Sequence, residues 1–240
     1  SYRQDPGGKG INVSKVIAKL GGTSKALALL GGATGKAISQ MLSEQGLDCW
    51  SINASGETRT NLKIVDPVAD THTDINEPGP EVAEKDLETV LRYLTREIEK
   101  DDIVVLSGSL PRGAKTGIYG EWAKACAEAG ARVFLDADGD ALREGLKGAP
   151  YLVKPNEIEL GRLMGRKLES IAAIQKAARE LLAQGVEKVV VSMGGAGALF
   201  VDAEHTVLAR SPKVPVGSTV GAGDSVVAAL AYAFDEGLSE

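Results

Sequence analysis

The chain is 240 residues long, 43% hydrophobic and 4% aromatic, with a formal net charge of −6. That length fills one large α/β domain or two small ones, and with no internal repeat or low-complexity linker to divide it a single domain over residues 1–240 is expected. An acidic balance without blocks of like charge argues against a nucleic-acid partner, and no apolar run reaches the about 18 residues of a membrane span.

The first pattern is PGGKGINVSKVIAKLGG, from Pro6 to Gly22. It sets a glycine turn and Lys9 at the head of a helix, with Asn12 in the first turn. Backbone amides and a polar side chain there could hold sugar hydroxyls, and a plain helix entry explains the pattern equally well. As a dinucleotide fingerprint Gly8-Lys9-Gly10 fails, because the third glycine is missing. LGGATGKA around Lys36 fails as a P-loop and reads as a turn: Leu30 stands where the first glycine belongs and Ala37 where a magnesium-binding hydroxyl belongs.

From Asp48 to Glu77 the chain alternates polar and apolar residues without a helical period (TRTNLKIVD, THTDINE). The segment is expected to form two or three strands with one wet face, a small β appendage or lid over residues 48–77. Cys49 lies in it, far from Cys126 and without CxxC spacing, so neither zinc nor a disulfide is implied and a reducing cytoplasm suits both. The sequons at Asn12 and Asn53 then carry no meaning, since glycosylation needs a secretory route.

Beyond it, Leu87, Val90, Leu91, Leu94 and Ile98 keep one helical face, as do Ile171, Ile174, Ala178, Leu181 and Leu182. Unbroken apolar runs at 103–106, 133–135, 151–153 and 189–191 suit strands buried on both faces. The alternation argues for a mostly parallel sheet covered by helices on both sides. Ser107-Gly108-Ser109-Leu110-Pro111 follows the first run, at the carboxyl end of a strand, where open α/β sheets bind ligands. DADGDA at Asp136 is no calcium loop, since Gly139 falls two positions early and Lys147 occupies the place of the closing glutamate.

Lys154-Pro155-Asn156-Glu157-Ile158-Glu159 follows a strand and starts a helix. Asn156 and Glu159 share a face and could hold a hydrated magnesium ion or form a capping box, and the two are compatible. VVVSMGGAGAL places Ser192, Gly194 and Gly197 at a strand end, where a nucleotide could lie against bare backbone. Last comes Thr219-Val220-Gly221-Ala222-Gly223-Asp224-Ser225 before an apolar helix. Small residues and the unpaired N–H groups of a first turn suit an anion. Asp224 is an awkward neighbour for a phosphate unless it removes a proton; capping the helix is the other reading.

In this order GGKGIN, SGSLP, KPNxxE and TVGAGDS resemble the PfkB family of sugar kinases, over Pro6 to Phe234. GGKGINV, TRTN at Thr58 to Asn61 and TDINEPGP at Thr73 to Pro80 are similar to its phosphosugar branch, which holds 1-phosphofructokinase and tagatose-6-phosphate kinase. The resemblance implies a ribokinase-like three-layer α/β fold with a β lid that also serves as a dimer contact in a homodimer. It implies ATP-dependent phosphorylation of a ketohexose phosphate, fructose 1-phosphate foremost, with tagatose 6-phosphate, fructose 6-phosphate and ribose as rival acceptors. A sugar or nucleotide sensor on the same fold, without catalysis, is the rival outside enzymology.

Carried over residue by residue, the resemblance makes Asp224 the base and Gly221, Ala222 and Gly223 the anion hole. Gly8, Lys9, Gly10, Asn12, Arg59 and Ser109 would face the sugar phosphate. Lys154, Asn156, Ser192, Gly194, Gly197, Thr219, Gly221 and Gly223 would line the ATP side, with Glu159 and Asn156 ordering Mg2+ through water and Asp136 assisting the metal. Arg59 suits a sugar phosphate as a planar bidentate donor in an acidic chain. Family members carry a strand and an aspartate-bearing loop before the position of Ser1 and helices beyond that of Glu240, so the chain is expected to be partial at both ends.

Overall fold

Short apolar runs and amphipathic helices alternate along the chain, and their pairing is seen in a computed structural model that describes residues 4–66, 71–212 and 221–238. In chain order the elements are α1 (Lys9–Leu20), β1 (Lys25–Leu30), α2 (Gly32–Glu44), β2 (Asp48–Asn53), β3 (Asn61–Asp66), β4 (Thr71–Asn76), α3 (Glu84–Glu97), β5 (Ile103–Ser107), α4 (Ile118–Glu128), β6 (Arg132–Asp136), α5 (Gly139–Gly145), β7 (Leu152–Val153), α6 (Glu157–Leu163), α7 (Ile171–Leu182), β8 (Lys188–Ser192), β9 (Ala198–Val201), β10 (Thr206–Ala209) and α8 (Ala222–Asp235).

The main sheet has six strands in the order β10-β9-β8-β7-β6-β5. Strands β5 to β8 run parallel, while β9 and β10 close one edge as an antiparallel pair. Because side chains alternate across a strand, each apolar run feeds two cores. Val133, Leu135, Val153, Val189 and Val191 point to the layer of α4 to α7, against Ala123, Cys126, Leu142, Leu160 and Ala178. Phe134, Leu152 and Val190 point the other way, against Val13 and Ile17 of α1 and Val227, Ala228 and Ala231 of α8. The result is a three-layer α/β fold, and it explains why these strands show no polar face.

Two features depart from the expected arrangement. Strand β1 pairs in parallel with β2 as a sheet of its own, with Ile11, Ile38 and Leu42 behind it. One cleft is lined by Leu27 and Leu29 of β1 and by Val105 and Ser107 of β5. Strand β2 therefore stands apart from the appendage, which is the β3–β4 hairpin alone, with Leu62 opposite Ile75 and Ile64 opposite Thr73. All six residues of β3 are exposed, so neither of its faces is dry.

The glycine run near Lys36, read as a turn, opens α2. Its first-turn amides are taken by the protein itself: the N–H groups of Ala33 and Thr34 donate to the Glu57 carboxylate, and Gly31 N–H donates to Thr58 Oγ1 at 2.8 Å. The Thr34 amide above all holds the Glu57 carboxyl below its usual range. An internal carboxylate thus occupies the position where a P-loop would hold phosphate.

Candidate active site

Parallel register brings the ends of β5 to β8 to one rim. Ser107 stands opposite Asp136, Lys154 N–H donates to Leu135 O at 3.1 Å, and Ser192 N–H donates to Pro155 O at 3.1 Å. Residues chosen from separate motifs therefore meet at the carboxyl edge of the sheet, the ligand-binding edge of open α/β folds.

Helix α8 starts at this rim. Gly221 has φ 76°, a left-handed conformation that a Cβ disfavours, and its carbonyl accepts both the N–H and the hydroxyl of Ser225 at 2.8 Å. The first turn of any helix leaves N–H groups without an intrahelical acceptor, which places partial positive charge at this end, at Ala222, Gly223 and Asp224. Asp224 is 6% exposed. Asn12 of α1 donates its side-chain amide to Asp224 Oδ2 at 2.7 Å, so the amide expected on sugar hydroxyls is engaged with the carboxylate. A buried carboxylate held by one donor at a helix N-terminus can accept a proton from a hydroxyl brought against it.

Beside it, Asp136 at the end of β6 touches two lysines. Its Oδ1 lies 3.3 Å from Lys154 Nζ and its Oδ2 3.3 Å from Lys9 Nζ. Lys154 is 4% exposed, and its ammonium comes within 3.4 Å of where a Cβ on Gly223 would lie, so it sits over the first turn of α8.

On the cleft side, Gly8, Lys9, Gly10, Arg59 and Ser109 line one cavity with the turn at Gly108. Arg59 Nη2 donates to Ser109 Oγ at 3.4 Å, and its stem packs on Gly79. The Tyr119 hydroxyl directs its proton to Ser107 O and Gly108 O, at 3.1 and 3.2 Å. Burial, helped by the Asp136 charge, pushes the Tyr119 phenol well above its usual range, so it stays a donor that fixes this turn. Ser107 Oγ is buried without a hydrogen-bond partner among the described residues, an acceptor and donor left over beside the turn.

Along β7 and β8, Asn156 Oδ1 accepts the N–H groups of Ile158 and Glu159 at 2.9 and 2.8 Å, and Glu159 Oε2 accepts Asn156 N–H at 2.8 Å. This is the capping box. Among the described residues no three His, Cys, Asp or Glu side chains gather as a metal cage. The remaining Glu159 oxygen is the one that could face a hydrated magnesium ion. After β8, Gly194 faces open space, while a Cβ on Gly197 (φ 107°) would overlap the carbonyl of Ala209, so the turn presents bare backbone. Thr219 lies outside the described residues.

Two connections had no signal in the sequence. Asn12 and Asp224 are 212 residues apart, and Lys9 and Asp136 are 127 apart. Each residue stood out in its own motif; only the packing of α1 on α8 and the strand register join them.

Residues 1–239 match the pfkB family of carbohydrate kinases. The 1-phosphofructokinase of Rhodobacter capsulatus is 43% identical over 237 residues, which is 98% of this chain and 75% of that protein. The ATP-dependent 6-phosphofructokinase isozyme 2 of Escherichia coli strain K12 is 38% identical over 98% of this chain and 76% of its own length. The crystal structure of phosphofructokinase-2 from Escherichia coli in complex with fructose-6-phosphate superposes with a TM-score of 0.90 at 36% identity, covering 97% of this chain and 77% of that one.

Proposed function

The chain belongs to the pfkB family of carbohydrate kinases, and from that premise we propose that it transfers the γ-phosphoryl group of ATP to a hydroxyl of a ketohexose phosphate, with fructose 1-phosphate as acceptor. The observation that carries this reading is the Asp224 carboxylate, buried at an anion-favouring helix start and held by Asn12. In the reaction the sugar hydroxyl oxygen bonds to the γ-phosphorus, the bond to the bridging oxygen breaks, ADP leaves, and the hydroxyl proton goes to Asp224. The first-turn amides of Gly221 to Gly223 and the Lys154 ammonium stabilise charge on the moving group.

Arg59, Ser109, Lys9 and the glycines Gly8 and Gly10 bind the sugar phosphate, while Asn156, Ser192, Gly194, Gly197 and Thr219 line the nucleotide side. Magnesium carried with the nucleotide would neutralise phosphate charge, with Asn156 and Glu159 ordering its waters. The whole chain acts as one domain, with the β3–β4 hairpin as its lid. Two copies pair through that hairpin, which the exposed Ile64 and Ile75 support. A reducing cytoplasm suits the Cys126 thiol, unbonded and pushed up to about 11 by burial. Among the described residues no helix is long and apolar enough to cross a membrane.

A second acceptor is favoured by a specific observation: the 6-phosphofructokinase relative is nearly as similar as the 1-phosphofructokinase one. ADP release measured with fructose 1-phosphate, fructose 6-phosphate, tagatose 6-phosphate and ribose separates the readings. Fructose 1-phosphate should give the highest kcat/KM. If no sugar raises ADP release, the kinase reading fails and a nucleotide or sugar sensor remains.

A further inference from the structure

We propose that Asp136 is a positioning residue that yokes Lys9 and Lys154, one cation from each side of the reaction centre, into a single clamp on the transferring phosphoryl group. The inference rests on the kinase reading and concerns how its charges are held.

Both carboxylate oxygens are engaged, each 3.3 Å from a lysine nitrogen. The Asp136 side chain is 3% exposed and that of Lys154 5%, so neither can take its counter-charge from water. Lys9 is the opening residue of α1, its stem packed on Gly108 in the turn after β5. Lys154 leaves the end of β7 and is tied by its own N–H to Leu135, the residue before Asp136. The carboxylate therefore joins a lysine on the acceptor side to one on the nucleotide side.

The location of Lys154 is electrostatically adverse unless an anion arrives. Its ammonium lies over the N-terminal turn of α8, where the helix dipole disfavours a cation. Asp136 holds it there. Lys9, Lys154, Asp136 and Asp224 sum to zero charge, and the helix start adds partial positive charge to be met by phosphate. When Asp224 takes the hydroxyl proton the sum becomes +1, so the clamp gains charge as the phosphoryl group crosses. A metal ion bound directly to Asp136 would have to share its oxygens with two ammonium groups at 3.3 Å.

The two roles part in the absence of divalent metal. ATP binding to wild type and Asp136→Asn is measured by calorimetry in excess chelator. Removing a negative charge should by itself tighten an anion, whereas loss of the yoke should weaken it by roughly tenfold. Unchanged or tighter metal-free binding in Asp136→Asn would overturn the proposal. So would a variant whose only defect is a raised Mg2+ requirement for turnover. If the variant does not fold, Lys9→Met supplies the readout: with the yoke it shifts the metal-free affinity for ATP although Lys9 lies on the acceptor side, and an unchanged affinity overturns it. Failure of wild type to bind ATP at all would instead count against the kinase reading.

Discussion

The rim at the strand ends and the β3–β4 hairpin hold their residues under opposite conditions. At the rim Asp136, Lys154 and Asp224 are 2, 4 and 6% exposed, whereas in the hairpin Ile64, Val65 and Ile75 are 52, 62 and 52% exposed. Buried polar groups must be partnered, so Asp136 is held with Lys154 at the strand ends and Asp224 with Asn12 across two helices. The hairpin has no such constraint. Its residues are held chiefly by their own ladder, so substrate-facing groups near it can change without disturbing the core. The proposed function would thus place chemistry on the buried rim and selectivity beside the exposed hairpin.

The largest expected effect tests the buried rim. Asp224→Asn keeps an oxygen for the Asn12 amide but removes the base, so kcat should fall about 100-fold or more with a modest change in KM. Steady-state kinetics on the purified variant decide this; wild-type turnover would sink the proton-transfer mechanism and with it the distinction between the two regions.

Arg59 lies where they meet, reaching from the hairpin's approach to Ser109. Arg59→Ala should raise KM for the sugar phosphate about tenfold, with kcat and KM for ATP nearly unchanged. An equal fall in kcat would move Arg59 from binding the acceptor to stabilising the transition state. A smaller effect belongs to the capping box. Asn156→Ala leaves the Ile158 and Glu159 amides without their acceptor and should lower stability by about 1 kcal/mol, read from the urea midpoint. If Asn156 also orders magnesium waters, the Mg2+ concentration for half-maximal rate rises in the same variant.

What the sequence disclosed follows the same division. The runs at 133–135 and 189–191 announced strands buried on both faces, and Asn156 with Glu159 announced a helix start, because both signals are local. The separation of β1 and β2 from the main sheet was not legible, since strand pairing depends on which segments lie side by side. Strand alternation at 48–77 gave the strands but not the partner of β2, nor the exposure of both faces of β3. Lys9, Asp136 and Lys154 were each singled out, yet only the fold shows them as one group.

The smallest effect on a single chain is expected at the hairpin, and it carries the sharpest test of the pairing proposed there. Ile64 shares a face with Leu62 and, across the ladder, with Ile75. Placing a charge on an exposed side chain away from any packed neighbour shifts stability by no more than about 0.5 kcal/mol. Ile64→Asp should therefore leave the denaturant midpoint of isolated subunits nearly unchanged. In a homodimer joined through this face the same carboxylate would be buried against apolar surface without a partner, which is strongly unfavourable. Sedimentation velocity should then show wild type as a dimer and Ile64→Asp as a monomer at equal concentration. A wild-type monomer, or a variant that stays dimeric, would leave the hairpin as a lid alone.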